Sequence, residues 1–208
     1  MIKKDYHKKI NIDCNLRFNC GLRQDDYLLM KKAGFRLLLF GLESVNQQTL
    51  NKLNKNLKVE QITNTLYMVK KANLYPHLTV MIGYPWETKK DILKTLNFVK
   101  NIFKKGLADS LQATIIVPYP GTPLFAEAKK RGWLKSSNWS NFDMRQTVLK
   151  TSISQSEMNN IIRAFYKTIF TPKFIIRKIK EGLIDLDNFK YYVRLGLKFS
   201  SKLLDFSN

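Results

Sequence analysis

Two cysteines, Cys14 and Cys20, are the only thiols in this 208-residue chain. So few exclude a disulfide framework, and a reducing cytoplasm is the expected location. No apolar run approaches the ~18 residues that a membrane span requires. The opening residues, Met1-Ile-Lys-Lys-Asp-Tyr-His-Lys-Lys9, have no apolar stretch behind their charges and are not read as a secretory signal. The two histidines, His7 and His77, show no ligand spacing, so no metal site is expected from them. Acidic residues are scarce, 16 against 36 Lys and Arg, for a net charge of +20. Such an excess suits nucleic acid or an anionic membrane surface. Yet arginine, which reads bases and clamps phosphates, is the minority cation, and no reader motif accompanies it. Nucleic acid is therefore not the expected partner. Lysines in the last turns of helices, facing the dipole, account for part of the charge without one.

What is present is a succession of strands and capped helices, with 44% apolar residues to build a core. Ile10 to Phe18 alternates apolar and polar side chains, a strand signal. A helix over 26–32, capped by Asp25, stops at Gly34. Arg36-Leu-Leu-Leu-Phe40 reads as a strand covered on both faces. Gly41-Leu-Glu-Ser44 follows, and Ser44 with Gln47 has the form of a capping box. Val59, Ile62, Leu66 and Val69 predict an apolar helix face, with a left-handed stop at Asn73. Leu78 to Ile82 is a strand breaking at Gly83 and Pro85; Thr88 with Asp91 caps the next helix, whose stop is Gly106. Leu111 to Val117 is a fourth strand, and Thr122-Pro123 a helix start. The units repeat: Lys31-Lys-Ala-Gly34, Lys70-Lys-Ala-Asn73 and Lys104-Lys-Gly106 each precede a strand, a turn and a hydroxyl cap. Strands separated by helical connections of this length predict parallel βαβ units. From Trp133 the pattern turns helical, with Ser154 and Glu157 opening one helix, Thr171-Pro172 a second, and Asp185 to Leu204 a third.

Four strands, near 12–18, 36–40, 78–82 and 111–117, are too few for an eight-stranded βα barrel, which takes about 250 residues. The expected fold is α/β: a small open sheet, or part of a TIM-type (β/α) barrel of about four parallel strands with an all-helical C-terminal extension. The boundary is placed between 1–135 and 136–208.

Several blocks carry a resemblance. Lys31-Lys-Ala-Gly-Phe35 leading to Gly41-Leu-Glu-Ser44, then Leu50 with Asn54-Lys55, then Met81-Ile-Gly-Tyr-Pro-Trp-Glu-Thr88, then Pro118-Tyr-Pro-Gly-Thr-Pro-Leu124 resemble the later part of a radical S-adenosylmethionine (radical SAM) enzyme. They are most similar to the subgroup that carries a cobalamin-binding domain. The resemblance implies a 4Fe-4S cluster on a Cys-x3-Cys-x2-Cys loop, SAM cleaved reductively at it, and radical-based methylation or rearrangement of a small-molecule substrate, with cobalamin as a further cofactor. That loop does not occur in this sequence, and Cys14 and Cys20 read as ordinary thiols. The expected partner is a chain or segment that carries the cluster half, without which the chain is expected to be inactive.

The same resemblance places SAM contacts at Arg17, Glu43, Ser44, Gly83 and Pro85, and a substrate-facing turn at Tyr119 and Gly121. Arg17 suits the SAM carboxylate, or is a solvated side chain. Glu43 accepts from ribose hydroxyls or the amino group, or serves with Ser44 only at a helix start. Trp86 stands where the family's turn has a second glycine. The alternative is a basic, non-catalytic module for RNA or an anionic surface, carried by Phe189, Lys190, Tyr191, Tyr192, Arg194, Lys198, Phe199 and Lys202.

Overall fold

A computed structural model describes residues 2–5, 9–136, 138–184 and 193. His7, Ser137 and, apart from Val193, the residues of the expected third C-terminal helix with its aromatic-basic side chains lie outside them. The described chain runs β1 (Ile12–Leu16), α1 (Gln24–Lys32), β2 (Phe35–Glu43), α2 (Gln47–Lys52), α3 (Val59–Lys71), β3 (Tyr75–Ile82), α4 (Lys89–Lys104), β4 (Ser110–Ile115), α5 (Pro123–Lys130), α6 (Gln155–Lys167) and α7 (Pro172–Ile184). The strands form one sheet in the order β1-β2-β3-β4, with β1 and β3 both parallel to β2. The order follows the chain, as successive βα units demand. The α/β class and the four parallel strands are as the sequence predicts.

Local chemistry sets most boundaries. The three repeat stops are left-handed: Gly34 at φ 96°, Asn73 at 55° and Gly106 at 76°. The Thr88 amide donates to Asp91 at 3.0 Å and the Asp91 amide to the Thr88 hydroxyl at 3.3 Å, a reciprocal cap. Thr122 caps α5 with Pro123 behind it, and Ser154 caps α6. Basic last turns recur at Lys31 and Lys32, Lys70 and Lys71, Lys104, and Lys129 and Lys130.

Three expectations are corrected. Ser44 does not cap α2: β2 runs on through Glu43, a turn intervenes, and Asn46 caps the helix by accepting from the Gln48 amide at 2.9 Å. β2 and β3 are not covered equally on both faces. Arg36, Leu38, Phe40 and Leu42 are buried while Leu37, Leu39 and Gly41 are half-buried, and β3 alternates likewise. A short antiparallel bridge, Leu134 with Leu149, also ties the extension to a residue just before the 135/136 boundary, and the sequence pattern hides it because only one residue pair takes part.

The chain divides into two compact units: Met1–Met81 with Asn97–Ala113, and Ile82–Leu96 with Thr114–Asn208. The first has its core in Leu38, Phe40, Leu42, Ile62, Leu66, Val69, Leu74 and Leu78, each with no exposed surface. The second buries Tyr84, Met158, Ile162 and Phe165. Within the second unit the Lys89 ammonium lies 2.8 Å from Glu157. That hydrogen bond, with the amide and hydroxyl of Ser154, pulls the Glu157 carboxyl from 4.5 down to about 2. A lowered carboxylate stabilises the fold above 4.5, and the contribution is lost as pH falls toward about 2. The pair is exposed, so salt screens it. Glu157→Gln is expected to flatten the dependence of the urea midpoint on pH across that interval; equal slopes in variant and parent would remove the pair from the acid response.

Candidate functional site

In the first unit the polar residues gather where β2 ends. Three consecutive features of the strand make the site. Gly41 leaves room: a Cβ there would lie 2.5 Å from Glu43 Oε1 and 3.1 Å from Lys55 Nζ. A register irregularity follows between Gly41 and Glu43. Glu43 then takes φ 57°, and the Ser44 amide donates across it to the Leu42 carbonyl at 2.7 Å. This is a three-residue turn of the rarer hand, strained for a residue with a Cβ. Its effect is to bury a side chain that strand alternation would leave half-exposed.

The residue so placed is 9% exposed. Its Oε1 accepts from the Lys55 ammonium at 2.8 Å, while Oε2 is buried with no hydrogen-bond partner in the protein. A buried carboxylate oxygen without a donor is costly, and strain and unmet polarity cluster at functional sites. Ser44, next to it, is buried, and its hydroxyl accepts from the Asn46 amide at 3.0 Å.

Lys55 sits between Asn54 and Asn56, both left-handed at φ 50° and 48°. That loop is held from the end of β1. An Arg17 terminal nitrogen donates to the Lys55 carbonyl at 2.7 Å and the Asn54 carbonyl at 3.2 Å. The Asn19 amide donates to the carbonyls of Lys55 at 3.0 Å and Asn56 at 2.8 Å. Arg17, Glu43 and Ser44 are thus in one unit, joined through a loop whose role the sequence did not announce. Gly41, Asn19 and Lys55 were missed. The two asparagines around Lys55 were a signal, since asparagine tolerates positive φ.

The other candidates belong to the second unit. Gly83 has φ 95°, and the Glu87 amide closes a turn on the Tyr84 carbonyl at 3.0 Å across Pro85 and Trp86. Trp86 stacks on the buried Tyr84 with centroids 5.2 Å apart and meets Trp133 at 5.9 Å. Its indole, where the resemblance expects glycine, is used in that aromatic cluster. Tyr119 is exposed, and its carbonyl accepts from the Thr122 hydroxyl at 2.6 Å. Gly121, at φ 82° with open space around it, is needed for that turn's conformation.

The two thiols differ in setting. Cys14 is half-buried, and burial first, then Asp13 and Cys20, pushes its pKa up; Cys20 is exposed. Among the described residues no group of three or more His, Cys, Asp or Glu could hold an ion. No helix there is long and apolar enough to cross a membrane.

Comparison with known proteins adds a family. The radical SAM superfamily profile matches residues 1–99. An uncharacterized methyltransferase of Pyrococcus horikoshii is 30% identical over 154 residues, covering 73% of this chain and 33% of that protein. The bacteriochlorophyllide d C-8(2)-methyltransferase of Chlorobaculum tepidum is 28% identical over 149 residues, 67% of this chain and 32% of its own. The chain therefore spans about a third of the length of these curated relatives. Among solved structures, the radical SAM methyltransferase TsrM of Kitasatospora setae, with cobalamin and a 4Fe-4S cluster bound, superposes with a TM-score of 0.54 at 14% identity. It covers 79% of this chain and 33% of TsrM. The archaeal Elp3 of Methanocaldococcus infernus gives 0.57 at 18% identity, over 79% of this chain and 34% of that one. At such identities these structures bear on the fold alone.

Proposed function

The radical SAM superfamily profile matches residues 1–99, and from that match we propose that this chain belongs to the superfamily and forms later βα units of a cobalamin-associated member. Its reaction is radical-based methylation or rearrangement of a small-molecule carbon. Two relatives named as methyltransferases support methyl transfer. The observation that carries the reading is the strained Glu43, with one oxygen paired to Lys55 and the other buried and open. The ends of parallel strands are where βα barrels bind ligands.

The residues fit SAM. Ribose hydroxyls and an ammonium are donors, and Glu43 Oε2 is an acceptor in want of one. Ser44 supports it by ordering the turn into α2. The resemblance assigns Gly83 and Pro85 to the adenosine side and Tyr119 and Gly121 to substrate. When bound at its cluster, SAM supplies a carbon radical. The residues do not fit that cluster: two thiols, one half-buried with a raised pKa and one exposed, cannot ligate it. The cluster half belongs to a partner chain or segment, and this chain has no turnover alone. The division at 135/136 is part of the proposal, with the helical extension appended to the barrel portion and the Leu134–Leu149 bridge crossing the division. The residues on which a basic binding module would rest lie outside the described chain, so nothing favours that reading.

The test has two arms. Anaerobic iron-sulfur reconstitution of the chain alone is expected to yield no stable cluster spectrum. Calorimetric titration with S-adenosylhomocysteine is expected to show binding that Glu43→Gln weakens about tenfold, the value of one charge-assisted hydrogen bond. Equal affinities in parent and variant would remove Glu43 from the site, and a stable cluster would reverse the assignment of the thiols.

A further inference from the structure

We infer that Arg17 and Asn19 are positioning residues, which hold Lys55 so that it occupies one oxygen of Glu43 and leaves the other for a ligand that donates hydrogen bonds. The inference rests on the reading of Glu43 just given. It assigns Arg17 a task different from pairing with a ligand carboxylate.

The Lys55 carbonyl is the centre of the arrangement. It accepts from Arg17 at 2.7 Å and from Asn19 at 3.0 Å, while the neighbouring carbonyls of Asn54 and Asn56 take the second bond of each donor. The Lys55 amide is tied back to the Leu50 carbonyl at 3.0 Å. The backbone at Lys55 is therefore fixed at both its amide and its carbonyl. Asparagine tolerates the left-handed conformation found on either side of Lys55, but that tolerance alone does not fix the loop in one shape. The clamp spans 36 to 38 residues of sequence and supplies what local preference lacks.

The consequence falls on Glu43. Lysine carries a point charge on a flexible stem, so its ammonium does not choose a partner oxygen unless its backbone is placed. With the backbone placed, the ammonium meets Oε1 at 2.8 Å and leaves Oε2 without a partner. Lys55 also offsets the negative charge, and the pair is part-buried, at 24% and 12% side-chain exposure, where screening is weaker. The open oxygen then selects neutral or cationic donors, such as a vicinal diol or an ammonium, and rejects anions.

Two measurements on the whole chain test this. The first needs no ligand: a double-mutant cycle on Glu43→Gln and Lys55→Met, read from urea unfolding, in the parent and in Arg17→Ala. The coupling is expected to fall by at least half in Arg17→Ala and to return in Arg17→Lys, which can still donate to the Lys55 carbonyl. An unchanged coupling overturns the inference. The second compares S-adenosylhomocysteine with its decarboxylated form, S-adenosyl-3-thiopropylamine, which keeps the nucleoside and the ammonium and lacks only the carboxylate. Arg17→Ala is expected to weaken both by the same factor, roughly tenfold. A loss confined to S-adenosylhomocysteine would mean that Arg17 meets the carboxylate directly, and the inference fails. If neither nucleoside binds the parent while the coupling behaves as expected, the clamp stands and the SAM reading of Glu43 is what fails.

Discussion

Phe40→Ala is expected to lower the stability of the first unit by about 3–5 kcal/mol, the usual cost of removing a buried aromatic ring. Phe40 has no exposed surface, and its ring stacks on Phe18 with centroids 4.8 Å apart and planes at 21°. The stacking geometry adds roughly 0.5–1.5 kcal/mol beyond the buried area. Loss on this scale approaches the whole stability of a marginal domain, about 5–15 kcal/mol. Phe40 also lies on the strand that carries Gly41 and Glu43, so loosening it loosens the site. Urea unfolding checks the value, with the midpoint falling and the slope unchanged. A loss below about 1 kcal/mol would mean that the ring is not packed as described.

Gly41→Ala should act in the opposite sense, on binding and hardly on stability. The added Cβ would meet Glu43 Oε1 at 2.5 Å, so the carboxylate must move and give up Lys55. What moves is the end of a side chain rather than backbone. Alanine in a strand regains roughly 0.5–1 kcal/mol relative to glycine through backbone entropy, which offsets part of the lost ion pair. The expected outcome is a urea midpoint near the parent's and an affinity for S-adenosylhomocysteine at least about tenfold weaker. Unchanged affinity at unchanged stability would show that the orientation of Glu43 does not matter to binding. The contrast between the two variants separates fold from site on a single strand.

Much of the fold was legible because its signals are local. Gly34, Asn73 and Gly106 stop helices through their own φ angles, and Thr88, Thr122 and Ser154 start them through contacts three residues away. The parallel connectivity followed from helical spacing between apolar runs. Ser44 misled for a related reason. Its pattern with Gln47 satisfied a local rule, but pairing of β2 with β3 as far as Glu43 moved the helix start to Asn46 and Gln47.

The sequence by itself thus determined the βα repeat, most helix ends and the resemblance to radical SAM enzymes, since each depends on residues a few positions apart or on their order. It also shows that no Cys-x3-Cys-x2-Cys loop occurs in these 208 residues, because three cysteines at a set spacing are either present or not. Only the tertiary structure decided what Arg17, Asn19, Gly41 and Lys55 do. Their partners lie up to 38 residues away, and no local preference brings β1's end to the loop around Lys55. The left-handed turn at Glu43 was equally hidden, because a strained conformation runs against the residue's own preference and persists only when neighbouring contacts hold it there.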